Sequence, residues 1–319
     1  MAKPSVFIIG AGVAGLACGR VLTAAGCDVR LADKGRGPGG RCSTRRSDVG
    51  RFDHGAPFFT ASDPSFSEQV QTWVEAGVVA EWQGSFAIRN DDDVRSPLYV
   101  GTPAMNAFVR FEAEALGADY GVQLGRPKSK PGGFDLYRAD GAPVGEADVV
   151  VVATPAPQAA QLLPEGSALQ ARAAQAEMLP CWTLMAAFPD DAPGALLEME
   201  ERAEGPLEKV IWQGGRPGRD PGRRLVAHAT ATWAAGHLED DAETVAAALE
   251  HALGFDTPAQ FRTAHRWRYA RAVKTGEPRY GLDLDAGLAT CGDWQAGPNV
   301  EDAWLSGYEL GRRLTAELG

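Results

Sequence analysis

Long apolar runs, positive charge and paired cysteines are all scarce in this 319-residue sequence. No apolar run approaches the ~20 residues that span a bilayer, so we expect no membrane segment. The early apolar stretch is broken by glycines and is not typical of a secretory signal. A formal net charge of -11 disfavours nucleic acid and anionic membranes as partners.

Cysteine and histidine are few and scattered. The five cysteines are odd in number and lack CxxC spacing, which predicts reduced thiols of a cytoplasmic protein and neither disulfides nor a zinc site. The five histidines lack metal-ligand spacing, and no Ser-His-Asp set is evident. We therefore predict no metal and expect a bound cofactor to carry the chemistry.

Glycine, in contrast, is abundant and placed in an informative order. An apolar strand, Val6 to Ile9, leads directly into Gly10-Ala11-Gly12-Val13-Ala14-Gly15, and a second apolar stretch ends in Asp33. This order is typical of a βαβ dinucleotide site. Gly10 permits the tight turn, Gly12 lets the backbone approach a pyrophosphate, and Gly15 lets the helix pack on the strand. Asp33 can accept hydrogen bonds from ribose hydroxyls, and its charge disfavours the 2′-phosphate of NADP.

Elements of nucleotide-binding type also occur in the middle and near the end of the sequence. The run from Asp148 to Pro155 predicts a fully buried parallel strand that returns to the first sheet. Residues 303–318 predict a final helix. We therefore expect an α/β fold with a discontinuous Rossmann-like domain (1–55, 101–157 and 281–319). An interwoven α+β domain on a mixed sheet fills 56–100 and 158–280. The Gly- and Pro-rich segment from Gly214 to Arg224 predicts a mobile loop.

A second glycine run narrows the choice of dinucleotide ligand. The run from Gly35 to Arg41 follows the ribose acid at once, which is unusual for NAD dehydrogenases. Further motifs occur along the chain. They are Phe52-Asp53-His54-Gly55-Ala56, Thr154-Pro155, Pro180-Cys181-Trp182, His265-Arg266-Trp267, Cys291-Gly292-Asp293-Trp294 and the segment 300–307. In these motifs the chain resembles bacterial renalase-like flavoproteins of the amine oxidase superfamily over nearly its whole length.

The resemblance implies noncovalently bound FAD and assigns residues to it. Asp293 would meet the phosphate and ribityl side, and the last helix would direct its N-terminus at the pyrimidine edge of the flavin ring. Val122 would contact the adenine through its backbone. The implied FAD residues are Gly10, Gly12, Val13, Ala14, Gly15, Asp33, Lys34, Arg36, Gly40, Arg41, Gly55, Ala56, Pro57, Val122, Thr154, Gly292, Asp293, Val300 and Ala303.

The chain departs from these relatives at two places that could face a substrate. Pro57 and Phe58 stand where relatives commonly carry Gln and Tyr. Gly214, Gly215 and Arg216 precede Pro217-Gly218-Arg219 in place of a run of Asn or Ser, Ser and Lys. The resemblance therefore supports the assignment of the cofactor better than the assignment of the substrate.

Candidate residues for the reacting end come from aromatic segments. His265, Trp267 and Tyr269 would share one strand face and could cover the flavin, and Trp294 could border the ring. For His265 a hydrogen-bonded place in an aromatic core is an equally good interpretation.

Three hypotheses for function remain open. The first is an FAD-dependent oxidoreductase that takes a hydride at flavin N5 from a small donor, either an amine or a dihydronicotinamide isomer, with reoxidation by molecular oxygen to hydrogen peroxide. The second is an NAD-dependent dehydrogenase. The third is a flavin-binding protein without turnover.

Overall fold

A computed structural model describes residues 4–88, 96–190, 197–273 and 278–319. Its helices are α1 Val13–Ala24, α2 Pro64–Glu75, α3 Ala107–Ala115, α4 Ala156–Leu162, α5 Ala168–Gln175, α6 Ala231–Gly236, α7 Ala242–Leu253 and α8 Val300–Leu318. Its strands are β1 Ser5–Ile9, β2 Asp28–Asp33, β3 Thr44–Ser47, β4 Gly50–Asp53, β5 Val79–Glu81, β6 Phe86–Ala87, β7 Tyr99–Gly101, β8 Asp119–Tyr120, β9 Lys128–Lys130, β10 Gly133–Tyr137, β11 Pro143–Ala147, β12 Val149–Val152, β13 Met178–Ala187, β14 Met199–Glu201, β15 Leu207–Trp212, β16 Arg224–Ala229, β17 Phe261–Ala272, β18 Tyr280–Asp283 and β19 Leu288–Cys291.

The chain divides into two compact units. Unit 1 comprises residues 1–40, 109–178 and 271–319, and unit 2 comprises residues 41–108 and 179–270. None of the helices in the described part of the chain combines the length and the apolar character needed to cross a membrane.

Unit 1 is built on a six-stranded sheet of order β18-β19-β12-β1-β2-β8. Strands β1, β2, β8, β12 and β19 run parallel, and β18 pairs antiparallel at the edge. All four valines of β12 are buried, because both faces of this strand are covered, as the continuous apolar run predicts. The predicted return of this strand to the first sheet is confirmed: Val149 pairs with Val6.

Two helices of unit 1 approach each other closely. A Cβ atom at Gly307 of α8 would overlap the carbonyl oxygen of Ala14 in α1. One at Gly311 would lie 2.8 Å from Cβ of Val21. The small residues on α8 therefore permit this contact, since larger side chains would push the helices apart.

Unit 2 is built on a six-stranded sheet of order β17-β13-β16-β15-β14-β6. One face carries the apolar side chains of Leu184, Leu225 and Ala227, which pack with Val245 and Leu249 of α7. The alternate residues point to the opposite face, because side chains alternate along a strand.

That opposite face packs on the β3-β4 hairpin. Met185 and Val226 of the sheet form a small buried cluster with Phe52 of β4. Phe261 of β17 packs against the same cluster and stacks on Phe52 with ring centroids 5.6 Å apart. The hairpin is therefore part of unit 2.

The unit boundaries differ from the expected domain boundaries by up to about twenty residues. Residues 41–55 and 101–108 lie in unit 2, since Phe52 packs on its sheet and Phe108 packs on Trp73. Residues 158–178 and 271–280 lie in unit 1, since Ala159 and Ala272 belong to its core. Periodicity alone gives no signal for such packing partners.

Candidate dinucleotide site and histidine face

The glycine cradle, which we define as Gly10, Gly12 and Gly15, forms the turn between β1 and α1. Gly10 has φ +112°, and a Cβ atom there would lie 2.7 Å from the carbonyl oxygen of Ala153. A Cβ atom at Gly15 would overlap the carbonyl oxygen of Gly10. One at Gly12 would meet no protein atom within 4 Å. Gly10 and Gly15 are thus required by packing, whereas Gly12 borders open space that a side chain would fill.

Asp33 connects the two glycine-rich loops. Its carboxylate accepts hydrogen bonds from the amide of Ala11 at 2.9 Å and from the amide of Gly35 at 2.6 Å. Each carboxylate oxygen can accept a further bond, so a ribose diol remains compatible with this arrangement.

Two other predicted residues, Thr154 and Val122, follow the carboxyl ends of β12 and β8 in the sheet of unit 1. Thr154 follows β12 beside Gly10, and its buried hydroxyl has no hydrogen-bond partner within the described chain. A buried hydroxyl without a partner is costly, which fits a group that a ligand completes. The amide of Val122 donates to the carbonyl oxygen of Asp33 at 2.9 Å, so an adenine contact would use its carbonyl.

The remaining predicted residues around the cradle differ in exposure. Ala14 is buried in α1 and Val13 is half-buried beside it. Lys34, Arg36 and Gly40 are exposed on the second glycine loop. Their exposure leaves the two side-chain charges open to an approaching anion.

The segment after β19 is a buried turn. The amide of Gly292 donates to the hydroxyl of Ser306 at 2.8 Å, and Asp293 is only 3% exposed. Trp294 is 1% exposed, lies in the core of unit 1, and donates from its indole to the carbonyl oxygen of Thr154 at 3.1 Å. Trp294 is therefore packed in this core, and its catalytic role stays a prediction. Adjacency to Asp293 in the sequence did not reveal that its ring faces inward.

The N-terminus of α8 also differs in detail from the prediction. Asn299 caps the helix, and Asp302 completes a capping box with it. The amide of Ala303 donates to the carbonyl oxygen of Asn299 at 3.1 Å, so it is an internal helical bond and cannot bind a ligand. Val300 is the first helical residue, and first-turn amides have no intrahelical partner. A contact of Ala303 with FAD would therefore not use its amide, and the contact stays a prediction.

In unit 2, three rings form a cluster that we call the histidine face: His54, His265 and Trp267. The His54 and His265 rings are 4.8 Å apart edge to face, and the His54 and Trp267 rings are stacked at 5.2 Å. The indole of Trp267 donates to the carbonyl oxygen of His54 at 3.0 Å. His265 and Trp267 are half-buried in β17, so their rings remain partly accessible.

Both imidazoles favour the neutral form. Burial lowers the pKa of His54 to about 4, and the neighbouring His265 adds to this effect. Burial, with a smaller contribution from Arg45, also lowers the pKa of His265. The pair therefore offers neutral ring nitrogens at neutral pH, which can donate or accept a hydrogen bond but carry no charge.

Tyr269 lies two residues beyond Trp267 on β17 and is half-buried. Because side chains alternate along a strand, its side chain points to the same side of the sheet as His265 and Trp267. The predicted strand with one shared face is confirmed for these residues, whereas their catalytic role stays a prediction.

The predicted FAD residues of unit 2 use backbone groups in contacts within unit 2. The amide of Ala56 donates to the carbonyl oxygen of Arg41 at 2.8 Å. A Cβ atom at Gly55 would overlap that same oxygen. Pro57 has no amide hydrogen, and its carbonyl oxygen accepts from Arg216. Ala56 and Pro57 therefore have no free backbone amide, and their contact with FAD stays a prediction.

A buried ionic network fixes the start of this segment. The carboxylate of Asp53 accepts from Arg216 at 3.0 Å and from Arg219 at 2.5 Å. It also accepts from the hydroxyl of Thr44 at 2.5 Å and the amide of Met105 at 2.9 Å. Burial alone would raise the pKa of Asp53, but the two guanidinium groups and these hydrogen bonds hold it below its ordinary value.

The same network ties down the segment predicted as a mobile loop. Arg219 also donates to the carbonyl oxygen of Gly101 at 2.5 Å, and Arg224 donates to that of Asp220 at 2.7 Å. The prediction of a mobile loop followed from its content of glycine, arginine and proline. The structure buries the side chains of Arg216 and Arg219, so the loop is anchored by its own charges.

Sequence reasoning missed His54 and the Asp53 network. The signal available was a pair of ionisable residues, Asp53 and His54, directly after an apolar strand residue, and two arginines three positions apart in a turn-rich loop. Their partners lie up to 166 positions apart in the chain, so only the fold brings them together.

The comparisons with known proteins place this geometry in a structural class. Residues 8–75 match the model of an NAD(P)-binding Rossmann-like domain. The matched stretch contains the glycine cradle and both glycine loops. The chain therefore contains a Rossmann-like dinucleotide-binding fold within a mixed α/β architecture.

Several solved structures share the whole fold. A protein assigned as a protoporphyrinogen oxidase from an Exiguobacterium species has a TM-score of 0.78 at 13% identity, covering 99% of this chain and 100% of that one. Cyclohexylamine oxidase from Brevibacterium oxydans has a TM-score of 0.72 at 12% identity, with 99% and 100% covered. A fatty acid isomerase from P. acnes has a TM-score of 0.72 at 14% identity, with 98% and 99% covered. The fold thus carries oxidases and an isomerase, and does not itself fix a substrate.

Proposed function

We propose that this chain is a renalase-like, FAD-dependent oxidoreductase that accepts a hydride from a small reduced donor. The observation that carries the proposal is the glycine cradle, in which Gly12 alone borders open space where a pyrophosphate would approach. The exposed charges on the second glycine loop, Lys34 and Arg36, favour a diphosphate further.

The residues of unit 1 fit FAD on independent grounds. Asp33 can hold the ribose hydroxyls, and the Thr154 hydroxyl is a buried group that lacks a protein partner. The first turn of α8 supplies partial positive charge at Val300. FAD, when bound noncovalently, supplies an acceptor for two electrons and a hydride at N5.

The histidine face and Tyr269 would receive the donor. Neutral His54 and His265 rings and the Trp267 indole suit a planar, uncharged ring better than an ammonium group, because the carboxylate next to His54, that of Asp53, is engaged by arginines. Of the two proposed donor classes, a dihydronicotinamide isomer is favoured over an amine. Molecular oxygen would take up the two electrons and leave as hydrogen peroxide. We place this reaction in the cytoplasm.

An absorbance spectrum of the purified protein is the first test. We expect flavin bands, and anaerobic bleaching by dihydronicotinamide isomers faster than by amines. A folded protein that neither contains nor takes up FAD would contradict the proposal. Bleaching by amines alone would contradict the donor class.

Gly12→Val provides the sharper test of the cofactor site. A Cβ there meets no described protein atom within 4 Å and the side chain would occupy the space of the pyrophosphate, so we expect loss of FAD binding, measured by flavin fluorescence, with a nearly unchanged melting temperature. Gly236→Val is a matched control, because a Cβ there also meets no described protein atom within 4 Å and Gly236 belongs to α6 of unit 2, outside both glycine loops. Retained FAD in Gly12→Val would refute the placement.

An NAD-dependent dehydrogenase is a second candidate, favoured by the match of residues 8–75 to the NAD(P)-binding model. It predicts binding of NAD without flavin absorbance. Titration of the colourless protein with NAD, followed by tryptophan fluorescence, would distinguish it from the flavoprotein.

A further inference from the structure

One buried guanidinium group contacts both ends of the loop that carries His54. The side chain of Arg216 is 0% exposed. It donates through Nη1 to Asp53 at 3.0 Å and through Nη2 to the carbonyl oxygen of Pro57. The two acceptors are four residues apart, and His54 lies between them.

The guanidinium of Arg216 is itself held in place. Its Cζ atom lies over the ring of Trp82, 4.9 Å from the centroid, and the Trp82 indole donates to Glu198 at 2.6 Å. Only a planar fork can reach two acceptors while stacking on an aromatic ring. An ammonium group could keep the charge but could not make this bridge.

The groups that face His54 leave burial as the main control on its proton affinity. His265 on β17 and Arg45 on β3 both oppose a second positive charge. Asp53 favours one, but its carboxylate is occupied by the two arginines, Thr44 and Met105. If the loop opened, water would reach His54 and its proton affinity would rise.

We propose that Arg216 is the positioning residue for His54: its guanidinium bridges Asp53 and Pro57 and thereby holds His54 against His265 and Trp267. This bridge connects the two segments in which the chain departs from its relatives, Pro57 and the Gly214 to Arg219 loop. A role for His54 in turnover rests on the proposed function. Its positioning does not, so a failure of FAD binding would leave the following test intact.

The test is a histidine titration by NMR of the 15N-labelled full chain, with His54 assigned by its absence in His54→Gln. Arg216→Met removes the bridge and the charge, and Arg216→Lys removes the bridge only. We expect both variants to raise the pKa of His54 by about one pH unit or more, because each lets water reach the ring.

Arg224→Met is the matched control. Arg224 is another buried arginine of unit 2, and its hydrogen bonds go to the backbone carbonyls of Val49, Asp220 and Pro221. We expect it to leave the titration of His54 unchanged. If Arg216→Met does not fold, Arg216→Lys carries the test. A His54 titration in Arg216→Lys like that of the unmodified protein, or an equal shift in Arg224→Met, would overturn the proposal.

Discussion

The candidate sites of the two units depend on different kinds of chemical group. In unit 1 the glycine cradle relies on backbone amides and on the absence of side chains, and its one charged anchor, Asp33, binds amides nearby in the fold. In unit 2 the histidine face depends on charges buried together, since Asp53 holds two arginines that are 0% and 3% exposed. A site of the first kind tolerates few added atoms, and one of the second kind tolerates few removed charges.

The largest effect should follow from removing a charge in unit 2. Asp53→Ala would leave Arg216 and Arg219 buried without their carboxylate, and we expect a loss of about 3–5 kcal/mol in the free energy of unfolding. Urea denaturation measures this directly. Asp220→Ala, in the loop that carries Arg216 and Arg219, is the control, because Asp220 accepts from Arg224 through its backbone carbonyl. A loss below about 1 kcal/mol would contradict the dependence of the site in unit 2 on its buried charges.

A pH dependence should come from His54. Its folded pKa of about 4 lies below the ordinary 6.5, so the unfolded chain binds a proton that the folded chain does not. Stability from this group is therefore complete above pH 6.5 and falls by up to about 3 kcal/mol as the pH approaches 4.

Denaturation of His54→Gln between these pH values should show a flatter slope. Exposed His251→Gln serves as the control and should retain the slope of the unmodified protein. Equal slopes in all three proteins would contradict the assignment.

In unit 1 the sharpest comparison is between two glycines of the same cradle. Gly15→Ala adds a methyl group that overlaps the Gly10 carbonyl, so we expect a loss of about 1–3 kcal/mol in unfolding free energy. Gly12→Ala meets no protein atom within 4 Å and should cost much less. Thermal unfolding of the two variants checks the difference, and equal melting temperatures would refute the packing role of Gly15.

The smallest effect should come from Thr154→Val. Replacing a buried hydroxyl without a protein partner by a methyl group should leave stability unchanged or slightly raise it. If FAD supplies the hydrogen-bond partner of this hydroxyl, the affinity of Thr154→Val for FAD should fall by about 1 kcal/mol, or roughly fivefold. Calorimetric titration with FAD measures this change, and unaltered affinity would remove Thr154 from the site.

The same contrast explains what could be predicted from sequence. The turn from β1 to α1 and the acid that ends β2 lie within 33 residues, and spacing alone encodes them. The buried run of β12 indicates its own place in the sheet, because only a fully covered strand is apolar throughout. His54 and Arg216 could not be found in this way, since their partners are distant in sequence and burial reverses the usual preference of arginine for solvent.

The sequence also did not predict which neighbours a side chain or a backbone amide would contact. Trp294 follows a predicted ligand residue but turns into the core, and the amide of Ala303 is used within α8. Neither outcome follows from residue type, because both depend on which neighbour the fold supplies.

The contact between Gly307 of α8 and Ala14 of α1 has a consequence for biosynthesis. The ribosome makes α1 early and α8 only after nearly all of unit 2 has emerged. Because domains fold as their parts become available, the helix that follows the glycine cradle must wait for its packing partner while unit 2 can already fold. We therefore expect the nucleotide to be acquired only after α8 has been translated.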